Sequence, residues 1–510
     1  MEKAEVDKYT FLSDGTSVEV TIYKDPDKFT LVYNINLPRI EEASRALLEE
    51  IRDTIIANVP IKLEALRDPT TLELTRAKIK EETKKLVLRN MKSVSDDTLK
   101  YITSFLADEM LGLGTIEVLL RDENLEEVVI NNSREAVWVY HKKYGWLITN
   151  VVLHSEEQIS NYASIVGRKV GRQITILSPL MDAHLLAGDR VNATLFPVST
   201  KGNTLTIRKF RRKPWTITDV IKNNTLNFET ASFLWLAVQY ELSMIVAGGT
   251  ASGKTTFLNV LLPFVPPNER IISIEDTREL NLPDFLHWIP LTTREPNPEG
   301  KGEVSMLQLL INSLRMRPDR IVVGEIRRQP EAEVLFEALN TGHSVYSTLH
   351  ANTAEEAYRR LTSPPINLPA QLIESLPLVS VMFRHRKLKL RRLFEVSEIL
   401  GFSEKEHRVK LQDLYGWSAR KDTIEKKSDS IRVAEELNLF TGMSKQEIKH
   451  DLSEKEKILQ WLAKNEVNTV NTVGAAISKY YTDKENFMKL LKEPKGKSMI
   501  LGKTLEELRP

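Results

Sequence analysis

Apolar and polar positions alternate over Ser17 to Tyr23 and Phe29 to Leu37, and runs of period two predict two half-buried strands near the start of the chain. The period then changes. Over Ile40 to Val59 and Leu72 to Met91 apolar residues recur every three or four positions with Glu and Lys between them, which predicts helices that bury one face. Residues 1–110 therefore read as a strand pair with a helical module. From Leu111 the elements shorten: GLGTIEVLLRDENLEEVVINN, a strand pair around Lys142 to Gly145, a helix near Glu156 to Gly167 and a strand over Thr204 to Phe210 make residues 111–210 an α+β domain. The basic, proline-marked stretch RKFRRKPWTITDV predicts a linker and hinge over 211–227.

Between Phe228 and Leu400 helices alternate with the apolar runs Ser243 to Ala247, Arg270 to Ile274, Arg320 to Val323 and Ser344 to Thr348. Such alternation predicts an α/β domain with a mostly parallel sheet covered by helices. Two further runs, Leu378 to Arg384 and Leu388 to Ile399, are expected to extend the sheet antiparallel. Residues 401–510 are polar and partly helical, as over Glu454 to Ala463.

Composition narrows this picture without redirecting it. The 510 residues suit about three domains, and 41% hydrophobic with 28% charged residues is ordinary globular composition. Zero cysteines remove disulfides, thiol catalysis and cysteine-ligated metal sites. A net charge of +1 gives no whole-molecule attraction to nucleic acid or anionic lipid, so such contacts need a local patch. The charged start MEKAEVDKYTFLSDG lacks the apolar core of a signal peptide, and runs such as Phe233 to Val238 and Leu376 to Phe383 fall far short of the ~20 residues that span a bilayer. The expectation is a soluble or peripherally bound protein.

The sharpest chemical signal is GGTASGKT, Gly248 to Thr255, a G-x-x-x-x-G-K-[ST] match between an apolar strand and the helix beginning KTTFLNVLL. Gly248 and Gly253 let the backbone curl so that successive N–H groups face phosphates, and Gly249, Thr250, Ala251 and Ser252 complete the cradle. Lys254 reaches the β and γ phosphates, Thr255 offers its hydroxyl to Mg²⁺, and Thr256 adds a contact from the first helical turn. ATP and Mg²⁺ are the implied ligands. Hydrolysis also needs carboxylates, and strand ends supply them: Glu275 and Asp276 after Ile274, and Glu325 after Gly324. The Asp that usually precedes such a Glu is Gly324 here. His343 and His350 flank one short strand and can report the γ-phosphate or steady the attacking water. Arg315 and Arg317 in LRMRPDR are further cations that can face a phosphate.

These elements in this order resemble the secretion ATPase superfamily of type II and type IV secretion, pilus and retraction motors. GGTASGKT resembles its Walker A box, IISIEDTREL its Asp box, IVVGEIR its Walker B box and TGHSVYSTLHANT its His box. GLGTIEVLLRDENLEEVVIN, PLMDAHLLAGDRVNATLFP and LTIRKF resemble its PAS-like N-terminal domain, so the likeness spans roughly Gly112 to Leu400. It implies a RecA-like core over 228–400. It also implies that Glu275 orients or deprotonates the attacking water and that Glu325 holds the Mg²⁺ shell partly through water, with either able to be the base. Arg190 and Arg208 match the positions of its arginine fingers, whereas Asp182, Ala183 and His184 stand where several relatives carry a further arginine. The missing tetracysteine insert, the helical extension and the tail GAAISKYYTDKENFMKLL resemble the archaeal branch, most of all the archaellum motor ATPase. The family implies a homo-hexamer at the cytoplasmic membrane, working on a polytopic platform protein, with acidic lipid and other motor components as further contacts. Its output is assembly or rotation of a pilus-like filament.

Two rival readings use the same residues. In a nucleic-acid translocase Arg208, Lys209, Arg211, Arg212 and Lys213 form the binding patch with Trp215 for stacking, a reading that the near-zero net charge disfavours. A scaffold that binds nucleotide without turnover has no need of Glu275 and Glu325.

Overall fold

The computed structural model describes residues 4–37, 42–59, 69–91, 94–185, 188–210, 213–296, 300–385, 387–388, 390–493 and 496–507. The chain divides into two compact units, Met1–Arg211 and Arg212–Pro510.

The first unit is built on nine strands: β1 (Ala4–Ser13), β2 (Thr16–Lys24), β3 (Leu31–Asn36), β4 (Leu125–Ile130), β5 (Ala136–His141), β6 (Gly145–Val152), β7 (Leu180–His184), β8 (Arg190–Thr194) and β9 (Thr204–Arg208). They form one sheet in the order β1-β2-β3-β6-β5-β4-β9-β8-β7. Alternation in β2 puts Val18, Val20 and Ile22 into the core, as period two requires. The first strand escapes the sequence pattern because it is an edge strand: its residues are half-buried or exposed over most of its length, and charges such as Glu5, Asp7 and Lys8 suit an edge. The parallel pairing of β3 with β6 joins the N-terminal strands to the sheet of the following α+β segment, so residues expected as separate modules at 1–110 and 111–210 share one sheet. The helices Glu42–Asn58, Pro69–Asn90 and Asp96–Leu111 pack a core of their own around Ile51, Ile55, Ile79, Val87 and Leu106.

The second unit carries β10 (Met244–Gly248), β11 (Ile271–Glu275), β12 (Trp288–Thr292), β13 (Arg320–Val323), β14 (Ser344–Leu349), β15 (Leu378–His385), β16 (Leu390–Ser403), β17 (Arg408–Ser418) and β18 (Thr423–Lys426). The sheet order is β12-β11-β13-β14-β10-β15-β16-β17-β18. Strands β10 to β15 pair in parallel, and β10, β11, β13 and β14 are buried along their whole length, which explains why they read as continuous apolar runs. Only β16 to β18 are antiparallel. The run at Leu378 was expected antiparallel; the helix Ala354–Thr362 instead provides the crossover that a parallel strand needs.

Two expected boundaries look different in the fold. Within 211–227 the described residues include the helix Ile217–Lys222, closed by a capping box between Thr216 and Asp219 and burying Ile217, Val220 and Ile221, so this part is packed rather than a free hinge. The region after Gly401 is continuous with the core: β16 runs through it, and Ile458, Leu459 and Leu462 of the helix Lys445–Lys464 pack in the same cluster as Trp235 and Phe264. Lys455 from that helix is fully buried against Asp451, with its ammonium 5.5 Å from the centre of the Trp235 ring. No helix of the described residues is long and apolar enough to cross a membrane.

Candidate functional site

In a parallel sheet the strand C-termini gather at one edge, and there the second unit collects its reactive groups. Strand β10 ends at Gly248, and the chain turns through Gly249–Gly253 into the helix Lys254–Leu261. The turn demands glycine at Gly248, with φ +155°, because a Cβ there would lie 2.6 Å from the Met382 carbonyl oxygen and collide with Ser252 Oγ. Gly253 also has positive φ, and Ala251 is held at φ +60°, where a side chain is costly. The loop is thus forced into the curl that aims its amides outward.

Lys254 is 9% exposed; its ammonium donates to Gly249 O and to His350 Nδ1, each at 3.3 Å. Burial lowers its pKa, with Glu325 and Glu279 opposing. Because Nδ1 of His350 accepts from Lys254, the other ring nitrogen carries the proton and donates from Nε2 to Glu325 Oε1 at 3.0 Å. Burial and the nearby ammonium hold His350 below the usual histidine pKa, so the ring stays neutral. The second oxygen of Glu325 accepts from Arg327 Nε at 2.9 Å and Nη2 at 2.7 Å, and Arg327 Nη1 donates to Asp276 Oδ2 at 2.8 Å. A chain of contacts therefore runs Lys254, His350, Glu325, Arg327, Asp276 across the ends of β10, β14, β13 and β11.

Glu275, the last residue of β11, differs from Glu325 in its burial and in its partners. It is 2% exposed, its Oε1 accepts from the backbone N–H groups of Glu279 at 2.9 Å and Leu280 at 3.1 Å, and its Oε2 is buried without a partner. Burial pushes its carboxyl up to about 7, the two amides and Arg278 opposing and Glu279 adding to the rise. A Cβ at Gly324 would sit at ordinary contact distance, 3.5 Å, from Glu275 Cγ, so an aspartate there would place a second carboxylate beside the first.

The structure thus brings together Gly248–Thr256, Glu275, Asp276, Glu325 and His350. It does not bring His343 to them. His343 precedes β14, bonded to Ala338 O at 3.1 Å and to Thr341, while His350 follows the strand, which places the pair at opposite edges of the sheet about 20 Å apart at ~3.3 Å per residue. His343 therefore lies away from the P-loop of its own chain. Arg315 and Arg317 precede β13 and lie at that same far edge, both exposed. In the first unit Arg190 and Arg208 stand opposite each other on β8 and β9 and share a face. Arg190 grips Asp182 with contacts of 3.2 and 2.6 Å, and Arg208 lies 3.9 Å from Glu127. Of the basic stretch, Lys209 bonds the Asp122 carbonyl, Trp215 packs against the core of the second unit, and Arg211 and Arg212 lie outside the described residues.

Sequence reasoning missed Arg327 and Arg391. Arg327 follows Glu325 by two residues in the same GEIR stretch, just beyond the end of β13. Arg391 is far along the chain from the loop, and nothing local points to it.

The arrangement fits a magnesium nucleotide on its own geometry: a glycine cradle that a Cβ would fill, a buried ammonium at its floor, Thr255 at the helix start, and a buried carboxyl oxygen without a partner. Residues 182–393 match the model of the type II/IV secretion system protein family. An uncharacterized protein of Methanocaldococcus jannaschii is 35% identical over 379 residues, covering 73% of this chain and 68% of the relative. The type IV secretion system protein PtlH of Bordetella pertussis is 33% identical over 266 residues, 48% of this chain and 77% of its own. Among solved structures, the VirB11 ATPase from the Brucella suis type IV secretion system matches at 25% identity with a TM-score of 0.29, over 55% of this chain and 91% of that one. With the P-loop, the strand-end carboxylates and these relatives in agreement, the chain belongs to the type II/IV secretion system protein family.

Proposed function

We propose that the chain is a Mg²⁺-dependent ATPase that works as a hexameric ring motor, powering assembly or rotation of an archaeal pilus-like filament, the archaellum above all. The observation that carries the catalytic part is Glu275: a buried carboxyl near neutral pKa, with one oxygen free, at the sheet edge that holds the P-loop. A base of this kind is matched to its task at physiological pH. Its free Oε2 accepts the proton of the attacking water as the new oxygen–phosphorus bond forms and the bond from the γ-phosphorus to the bridging oxygen breaks, ADP leaving. Glu325 is the weaker candidate for base, since His350 and Arg327 already occupy both its oxygens.

Thr255 and Glu325 would hold Mg²⁺, which neutralises charge on the β and γ phosphates when bound. Lys254 leaves its contacts with Gly249 and His350 to meet those phosphates, and His350 remains to orient Glu325. Arg190 and Arg208 act as arginine fingers, for which Arg190 exchanges Asp182 for a phosphate; such a finger is worth ~10³–10⁵ in rate.

The archaeal assignment is supported by reach. The Methanocaldococcus relative matches 73% of the chain, including parts that the shorter PtlH match, at 48%, leaves out. An archaeal type IV pilus or type II-like secretion ATPase is the alternative on the same chemistry. The partner would be a polytopic membrane platform protein, with the motor lying peripherally on the cytoplasmic membrane.

The test is ATP hydrolysis per subunit against protein concentration, with Lys254→Ala as the blank and mass in solution measured alongside. A rate that climbs as a hexamer forms is expected. A constant rate from a species with the mass of a monomer would refute the ring.

A further inference from the structure

Lys254 is not the only cation beside the loop. Strand β15 continues past Met382, which stands opposite Gly248 at the end of β10, and turns back as β16 so that Arg384 and Arg391 face each other. Directly opposed residues of an antiparallel pair project to one face, where like charges repel. That face is the one turned to the P-loop. Arg391 Nε donates to the Ala251 carbonyl at 3.2 Å, its Cδ lies 3.5 Å from where a Cβ on Gly253 would sit, and the methyl of Met382, two residues before Arg384, lies 3.9 Å from the same point.

The neighbouring residue shows what the fold does with a cation it has neutralised. Arg392, on the other face of β16, is 5% exposed and grips Asp422 through two contacts of 2.7 Å. Among the described residues, Arg384 and the amino nitrogens of Arg391 have no carboxylate partner. The sheet order puts β14 on one side of β10 and β15 on the other, so the ribbon lies on the side of the loop away from Glu275 and Glu325. The loop thus has carboxylates on one flank and, on the other, Arg384 and Arg391, which lack a carboxylate partner among the described residues.

We infer that Arg391, reinforced by Arg384, binds the phosphates of the nucleotide held in the P-loop, closing that site from the β15–β16 flank; this rests on reading the loop as a nucleotide site. Arginine suits the task because its planar fork stays charged and bonds two oxygens at once. The bond to Ala251 O fixes the fork at the rim before the ligand arrives, which lowers the ordering cost of binding.

The experiment is a titration of the full chain with mant-ADP and Mg²⁺, for wild type, Arg391→Ala, Arg391→Lys, Arg384→Gln and Lys254→Ala, at several salt concentrations. Arg391→Ala is expected to raise Kd about tenfold, the loss of a charge-assisted hydrogen bond, and to flatten the dependence of Kd on salt. Arg391→Lys should recover part of the affinity, and Arg384→Gln should raise Kd less than Arg391→Ala does. Wild-type affinity in both Arg391 variants, or weaker binding with an unchanged salt dependence, overturns the inference. If wild type binds tightly, Lys254→Ala does not and Arg391→Ala does, this inference alone is rejected; if wild type fails to bind, the nucleotide reading itself falls.

Discussion

Replacing Glu275 by glutamine tests structure and chemistry together. In the folded chain burial holds this carboxyl at about 7, against 4.5 for an unperturbed glutamate, so folding favours the protonated form. The stability this confers is complete below about pH 4.5 and is lost as pH rises through about 7. The gap between the two values corresponds to ~3 kcal/mol, borne by the folded state once the buried group is ionised. Glutamine keeps the shape and the oxygen that accepts from Glu279 and Leu280 but cannot ionise. For a second unit of about 300 residues, ~3 kcal/mol corresponds to a rise of about 5 °C in melting temperature. Thermal unfolding by circular dichroism at pH 5 and pH 8.5 is the assay: Glu275→Gln should melt near wild type at pH 5 and about 5 °C higher at pH 8.5. The same variant should bind mant-ADP and lack hydrolysis, and wild-type kcat should rise with pH through about 7 on its acid limb. Equal melting differences at both pH values would refute the buried-carboxyl argument, and retained turnover would refute Glu275 as base.

Further expectations follow from other contacts. Arg190→Ala should slow hydrolysis ~10³-fold or more while leaving nucleotide affinity intact, as loss of a transition-state contact does; parallel losses in both would contradict the finger role. His350→Ala should depress turnover and His343→Ala should leave it near wild type, because only His350 stands at the phosphate edge; steady-state kinetics of the pair decides. Asp451→Ala strands the buried Lys455 ammonium and should cost ~3–5 kcal/mol in chemical denaturation. A change below ~1 kcal/mol would contradict the reading that the buried Lys455 charge depends on Asp451.

The parallel core was legible because its strands are buried on both faces and carry uninterrupted apolar runs between amphipathic helices; MIVAG and IISIE admit few other readings. The loop was legible because its chemistry is local, eight residues in which glycines, lysine and threonine each have a fixed duty. What escaped was non-local. The charged edge strand Ala4–Ser13 draws its order from pairing with β2, not from an apolar face of its own. The tail after Gly401 is polar in composition, yet its sparse apolar residues, Ile458, Leu459 and Leu462 among them, are buried, and Lys455 and Tyr481 join them with their polar ends bonded to Asp451 and to Trp235 and Phe264. The strand between His343 and His350 was legible in TGHSVYSTLH, but which of its ends meets the P-loop depends on the parallel pairing of β14 with β10. The short helix at Ile217 was signalled by its capping box, Thr216 with Asp219, inside a stretch that proline and basic residues make look like a linker.

The central claim is that the P-loop of the second unit turns over ATP with Mg²⁺. Its most direct test is phosphate release from Mg-ATP by the purified full chain, set against Lys254→Ala at the same concentration. Steady release by wild type, abolished in the variant and by EDTA, is the predicted result. Release at the wild-type rate from Lys254→Ala would contradict it.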